Sequence, residues 1–129
     1  IGLDVYQVLT GAVVLESVNI DDVSTIDTSL VVDTSGVQFV ANSFAASDFR
    51  TTKYLVQVQE TGSSNFYSTE VFIMHDGSEV YMTQYGTLNT DSSPVTSIEA
   101  DIDSGNVRLL ITPSVSNTTT KISRNSLTA

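Results

Sequence analysis

Residues 98–111 read IEADIDSGNVRLLI, and with the turn set at Ser104-Gly105 the alternating apolar residues of one arm meet those of the other. Ile102 then faces Val107, Ala100 faces Leu109 and Ile98 faces Ile111, while Asp101 lies across from Arg108 on the opposite side. A slip of one residue would turn the whole apolar set to solvent, so this register is well specified. The segment reads as a half-buried antiparallel hairpin.

A second hairpin is expected between Thr69 and Tyr85, where two alternating runs flank His75-Asp76-Gly77-Ser78. Asp-Gly supplies the positive φ angles of a two-residue turn. With Asp76 and Gly77 as the loop, Ile73 faces Val80, Val71 faces Met82, and Phe72 pairs with Tyr81 behind them. Apolar groups on both faces put this pair near the middle of a sandwich or against another subunit. Further strands are expected at residues 5–9, 12–18, 37–40, 54–59 and 121–124, the fourth from the alternation of Tyr54, Val56 and Val58.

Ser and Thr make up about a quarter of the chain and Val and Ile are frequent, a mix that favours strands and turns. No stretch keeps an apolar stripe for three helical turns, although residues 45–48 allow one short turn. The expected fold is therefore all-β, an antiparallel β-sandwich or jelly roll of at least seven short strands, with no helix beyond about two turns. Residues 1–32 stand apart. They hold Asp4, Glu16, Asp21, Asp22 and Asp27 without one Lys or Arg, and read as an acidic N-terminal segment, an assembly arm or a partner-paired strand. Residues 33–129 form the sandwich domain.

The chain has 129 residues and a formal net charge of -10, which bounds it to one domain of ordinary size. Such a length buries enough surface to need no crosslink. With no cysteine, disulfide frameworks, thiolate zinc sites and cysteine nucleophiles are excluded. Five Lys and Arg against fifteen acids exclude a duplex nucleic-acid reader and disfavour anionic membranes. No apolar run reaches the 18 or so residues of a spanning helix, and no basic leader precedes the first strand. The first residue, Ile1, points to a processed or trimmed product.

Candidate chemistry is thin. His75 is the single histidine and sits beside Asp76 at a turn, where it reads as a cap on the hairpin; no nucleophile-elbow pattern accompanies it. Asp101 and Asp103 are outward residues at period two, and the loop lacks the Gly at position six that a calcium-binding EF-hand loop requires. Asp21, Asp22 and Asp27 form a looser acidic cluster. Phe66-Tyr67 and Tyr81 with Tyr85 could offer a modest sugar-stacking platform, but strand aromatics more often cover the sheet. Asn117-Thr118-Thr119 is a formal glycosylation sequon. No catalytic, cofactor-binding or metal-binding residue is assigned, and no enzyme activity is expected.

The order of Ser43-Phe44, residues 50–54 (RTTKY), Thr69-Glu70-Val71, His75-Asp76-Gly77, Tyr85-Gly86-Thr87 and residues 105–109 (GNVRL) resembles a β domain of virion structural proteins of tailed phages, especially marine cyanobacterial ones. The likeness covers residues 33–124. It implies a non-enzymatic domain on neck, tail, fibre or capsid surface, localised to the virion and touching other virion proteins. It also implies turns at Asp76-Gly77 and Gly105, core positions at Phe44, Tyr54, Val71 and Leu109, and a charge network of Arg50, Lys53 and Glu70.

Two readings follow. One is a structural virion component built from symmetric copies, a trimer or a ring, because the hairpin at residues 69–85 is apolar on both faces and Val13, Val14, Leu15, Val18 and Ile20 need cover. The other is a module binding a host-surface glycan or receptor, carried on a fibre or adhesin.

Overall fold

A computed structural model describes residues 14–129 of the chain. The hairpin at residues 98–111 has the expected register, with Ile98 opposite Ile111, Ala100 opposite Leu109, Asp101 opposite Arg108 and Ile102 opposite Val107. Ser104 and Gly105 take φ angles of 51° and 80°, the two positive values of a type I′ turn. Val107, Leu109 and Ile111 are completely buried, each stabilising the fold by about 1.5–3 kcal/mol.

Nine strands are present among the described residues: β1 (Ser17–Ile20), β2 (Ser24–Asp33), β3 (Phe39–Ala45), β4 (Phe49–Glu60), β5 (Phe66–His75), β6 (Val80–Asn89), β7 (Val95–Asp103), β8 (Asn106–Pro113) and β9 (Thr118–Thr128). A six-stranded sheet runs β1-β2-β9-β4-β5-β6 and a three-stranded sheet runs β3-β8-β7. All neighbours are antiparallel. The all-β expectation holds, and the arrangement is an open, sandwich-like pair of sheets. The chain changes sheet four times, after β2, β3, β6 and β8.

Between the sheets lies one core. Tyr54, Val56, Val58, Val71, Ile73 and Ile122 face inward from the six-stranded sheet, meeting Ala41, Phe44, Val107, Leu109 and Ile111 of the smaller one. The expected core positions Phe44, Tyr54, Val71 and Leu109 are all there. Burial of the Tyr54 side chain pushes its phenol far above the usual value.

Several expectations need correction. In the β5–β6 hairpin, Ile73 lies opposite Met82 and Val71 opposite Gln84, two residues away from the expected pairing, and Phe72 meets Thr83 while Met74 meets Tyr81. The cause is Asp76. Its Oδ1 accepts the backbone N–H of both Ser78 and Glu79 at 2.8 Å, which folds residues 76–79 into a four-residue loop rather than a two-residue one. Because the offset is even, each residue keeps its face.

Strand ends also move. β3 runs on to Ala45 past a bulge between Val40 and Asn42, and β9 extends over Thr118–Thr128, well beyond residues 121–124. The expected strand at 12–18 overlaps the described β1 only at Ser17 and Val18, and the one at 5–9 lies outside the described residues. Residues 17–32 of the acidic segment supply β1 and all but the last residue of β2, which crosses the expected boundary at residue 33 and pairs with β9 along its whole length.

Candidate interaction face

The outward positions of the six-stranded sheet follow directly from its registers. One row sets Leu30, Lys121, Gln57, Ser68 and Leu88 side by side; the next sets Thr28, Ser123, Leu55, Glu70 and Tyr85. Beyond these come Ile26, Asn125, Lys53, Phe72 and Thr83, then Ser24, Leu127, Thr51, Met74 and Tyr81. Strand alternation forces this arrangement: with Tyr54, Val56 and Val58 committed to the core, Lys53, Leu55 and Gln57 must point out.

This face is apolar for an exposed one. Leu30 is 64% exposed, Leu55 56%, Leu88 72%, and Phe72, Met74 and Tyr81 are 44–50% exposed. Its charge is equally unusual. The chain carries fifteen acids, yet Glu70 is the one carboxylate at the paired positions set out above. Lys53 lies 3.3 Å from Glu70 and 5.7 Å from the centroid of the Tyr85 ring. The Tyr85 hydroxyl, followed by Glu70, raises the Lys53 ammonium above its ordinary value. Lys121 has no carboxylate partner among the described residues, so these paired rows carry a small positive excess, while Asp76 and Glu79 reach the Tyr81 hydroxyl at their edge.

Three shallow depressions open on this face. The largest, about 510 Å³, has Leu30 and Leu55 as apolar walls, with Thr28, Gln57, Ser68 and Lys121 offering polar groups. A second, about 400 Å³, is lined by Phe72, Met74, Tyr81 and Met82. Phe66, Gln57 and Leu88 border the third, about 320 Å³.

The residues singled out from sequence lie elsewhere or do other work. His75 is buried; its Nδ1 accepts the Gly77 N–H at 3.0 Å and its Nε2 meets the Phe49 carbonyl. Both ring nitrogens are therefore engaged with backbone, and the imidazole caps the hairpin as expected. Asp101 takes a two-pronged grip from Arg108, with Nε at 2.8 Å and Nη2 at 2.6 Å, and that hydrogen bonding holds its carboxyl below the usual range. Asp103 lies 3.7 Å from the same guanidinium.

Asp21 and Asp22 form the left-handed turn between β1 and β2, whereas Asp27 pairs with Arg124 at 3.2 Å, so the three acids do not converge. Tyr67 is buried, while Phe66, Tyr81 and Tyr85 are exposed. Asn117 precedes β9, and its carbonyl accepts the Thr61 N–H. The implied charge network is only partly formed. Lys53 and Glu70 pair, but Arg50 donates to the His75 carbonyl at 3.2 Å.

Arg124 was not singled out by the sequence. It is 6% exposed, donates to Asn42 Oδ1 at 2.7 Å and to Asp27, and lies 5.3 Å from the ring centroids of both Phe44 and Phe49. The one available signal was a lone arginine at an inward position of a Ser/Thr alternation.

No family model matches the chain. No curated protein matches it either. Among solved structures, the tailspike protein gp49 of Acinetobacter baumannii bacteriophage Fri1, described as a capsular polysaccharide depolymerase, aligns over 90% of this chain at 10% identity with a TM-score of 0.50. The tailspike protein of Acinetobacter phage vB_ApiP_P1 aligns over 98% of the chain at 18% identity with a TM-score of 0.47. The chain spans 20% of the first tailspike and 24% of the second. At such identity the likeness is one of fold.

Proposed function

We propose that this chain is a β domain of a tailed-phage virion protein, held in multiple copies on the tail, neck, fibre or capsid surface and doing structural rather than catalytic work. The observation that carries the reading is the outer face of the six-stranded sheet, apolar and nearly free of acids in a chain of net charge -10. A face of that composition is suited to being covered. The fold likeness to part of a phage tailspike supports the assignment, as does the motif order from Ser43 to Leu109. That neighbour comes from an Acinetobacter phage and gives no support to the narrower marine cyanobacterial expectation. In this proposal residues 1–32 take part in assembly through β1 and most of β2, which belong to the same six-stranded sheet as strands of residues 33–129.

Quantitative mass spectrometry of purified particles tests it. Several copies per particle are expected; absence of the chain from the particle would remove the reading.

A second reading, a glycan-binding module, is favoured by the depression between Leu30 and Leu55, where Gln57, Ser68 and Lys121 present hydrogen-bonding groups between apolar walls. The Fri1 tailspike is described as acting on capsular polysaccharide. Glycan-array binding that is lost in Gln57→Ala or Lys121→Ala would favour this second reading.

A further inference from the structure

An outward sheet face is ordinarily polar, because alternation lets a strand place apolar groups on the core side alone. Here four of the six strands break that rule together: β2 with Ile26 and Leu30, β4 with Leu55, β5 with Phe72 and Met74, β6 with Tyr81 and Leu88. With their outward neighbours Val32, Phe66 and Leu127, these side chains are 40–72% exposed. Monomeric proteins rarely show more than a few hundred Å² in one apolar patch, and a stable protein–protein contact buries about 800 Å² per partner.

We infer that the outer face of the six-stranded sheet is where a second copy of this chain packs. The inference rests on the multi-copy reading above and deepens it by assigning the contact. Charge selects this face over the other. On the three-stranded sheet, Glu99, Asp101 and Asp103 project outward against Arg108 alone, so two copies meeting there would bring carboxylates together. Within the paired rows of the six-stranded sheet, Glu70 is matched by Lys53 and Lys121 is the other charge, while Asp76 and Glu79 sit at the rim beside the Tyr81 hydroxyl. Two acidic chains can therefore approach through the middle of this face with most of their carboxylates away from the contact, where salt screens charges over about 8 Å. Lys121 fits such a contact. Its long stem lies along apolar surface while the ammonium reaches outward to the amide and hydroxyl groups carried by the facing copy.

The test is light scattering after size exclusion, from about 1 to about 100 µM protein, because association follows mass action. The wild type is expected to run at a multiple of 13.8 kDa. The double variant Leu30→Glu/Leu55→Glu should dissociate to 13.8 kDa, while Glu99→Lys on the opposite sheet should keep the assembled mass. Leu30 and Leu55 are 64% and 56% exposed, so the double variant should retain its strand spectrum and melting transition; Leu30→Gln/Leu55→Gln serves as the second variant if it does not. An assembled wild type whose outer-face variants stay assembled would overturn the assigned contact and leave the multi-copy reading standing. A wild type monomeric at every concentration, with NMR signals of Lys121 and Gln57 that shift on adding a uronate oligosaccharide, would overturn it in favour of a saccharide. The multi-copy reading itself falls only with absence from the particle.

Discussion

The guanidinium of Arg124 lies 5.3 Å from the ring centroid of Phe44, which sets a cation of β9 against an aromatic of β3 and so joins the two sheets at the core. Phe49 stacks on the same cation at the same distance and meets Phe44 edge-on at 5.6 Å. Asp27 and Asn42 accept the hydrogens of the fork. Replacing Arg124 with Ala removes the donor to these acceptors and opens the junction, and because Asp27 is 39% exposed the expected cost is about 1.5–3 kcal/mol. Arg124→Lys should recover little of it, because an ammonium cannot stack on two rings and donate as a planar fork. Urea denaturation checks this; wild-type stability in the lysine variant would show that charge alone suffices.

Leu109 and Asp101 test the two faces of the β7–β8 hairpin. Leu109 is completely buried, so Leu109→Asp should cost several kcal/mol by burying a charge without a partner. The Asp101–Arg108 pair is partly exposed, and Asp101→Asn should cost about 0–1 kcal/mol. Equal melting temperatures for the two variants would mean that the faces are reversed.

His75 links the β5–β6 loop to the start of β4 through Gly77 N–H and the Phe49 carbonyl. His75→Leu has similar bulk but leaves both backbone groups unpaired in a buried place, and should lower stability by about 2 kcal/mol. Hydrogen exchange at Gly77 should accelerate in the variant; unchanged exchange there would remove the capping role.

Asp76 makes the same loop sensitive to acid. The backbone N–H of Glu79, then that of Ser78, lowers its carboxyl below the ordinary 3.8. A folded-state value below the unfolded one means that the stabilisation is present above the unfolded value and is lost as pH falls through the folded one. Asp76→Asn keeps an acceptor oxygen but cannot titrate. Its melting temperature should therefore lie below the wild type at neutral pH and converge with it well below pH 3.8; parallel curves across that range would contradict the assignment.

What could be read from sequence followed the apolar alternation. It found β4, β5, β7 and β8 because their inward residues are Val, Ile, Leu and Tyr, and it fixed the β7–β8 register because the turn and the pattern agree. It lost most of β9, where four of the inward positions, Thr118, Thr120, Arg124 and Ser126, are polar groups buried in the fold and Ile122 alone is apolar. The β5–β6 loop misled for a different reason, since an aspartate side chain bonding to two amides competes with the two-residue turn that Asp-Gly otherwise favours. The outer face was legible only in part. Apolar groups behind Val71 and Ile73 were visible within one hairpin, but their continuity with Leu55 and Leu30 depends on β9 and β2 lying beside β4, a non-local pairing that no local pattern encodes.

The most direct measurement of the proposed contact uses the absence of cysteine in this chain. Leu55→Cys places one spin label on the middle row of the outer face, and packed sheets lie about 10 Å apart. Labels on neighbouring copies should then show strong dipolar coupling, while a label at Glu99→Cys on the opposite sheet should show weaker coupling or none. Coupling at Glu99 with none at Leu55 would contradict the assignment.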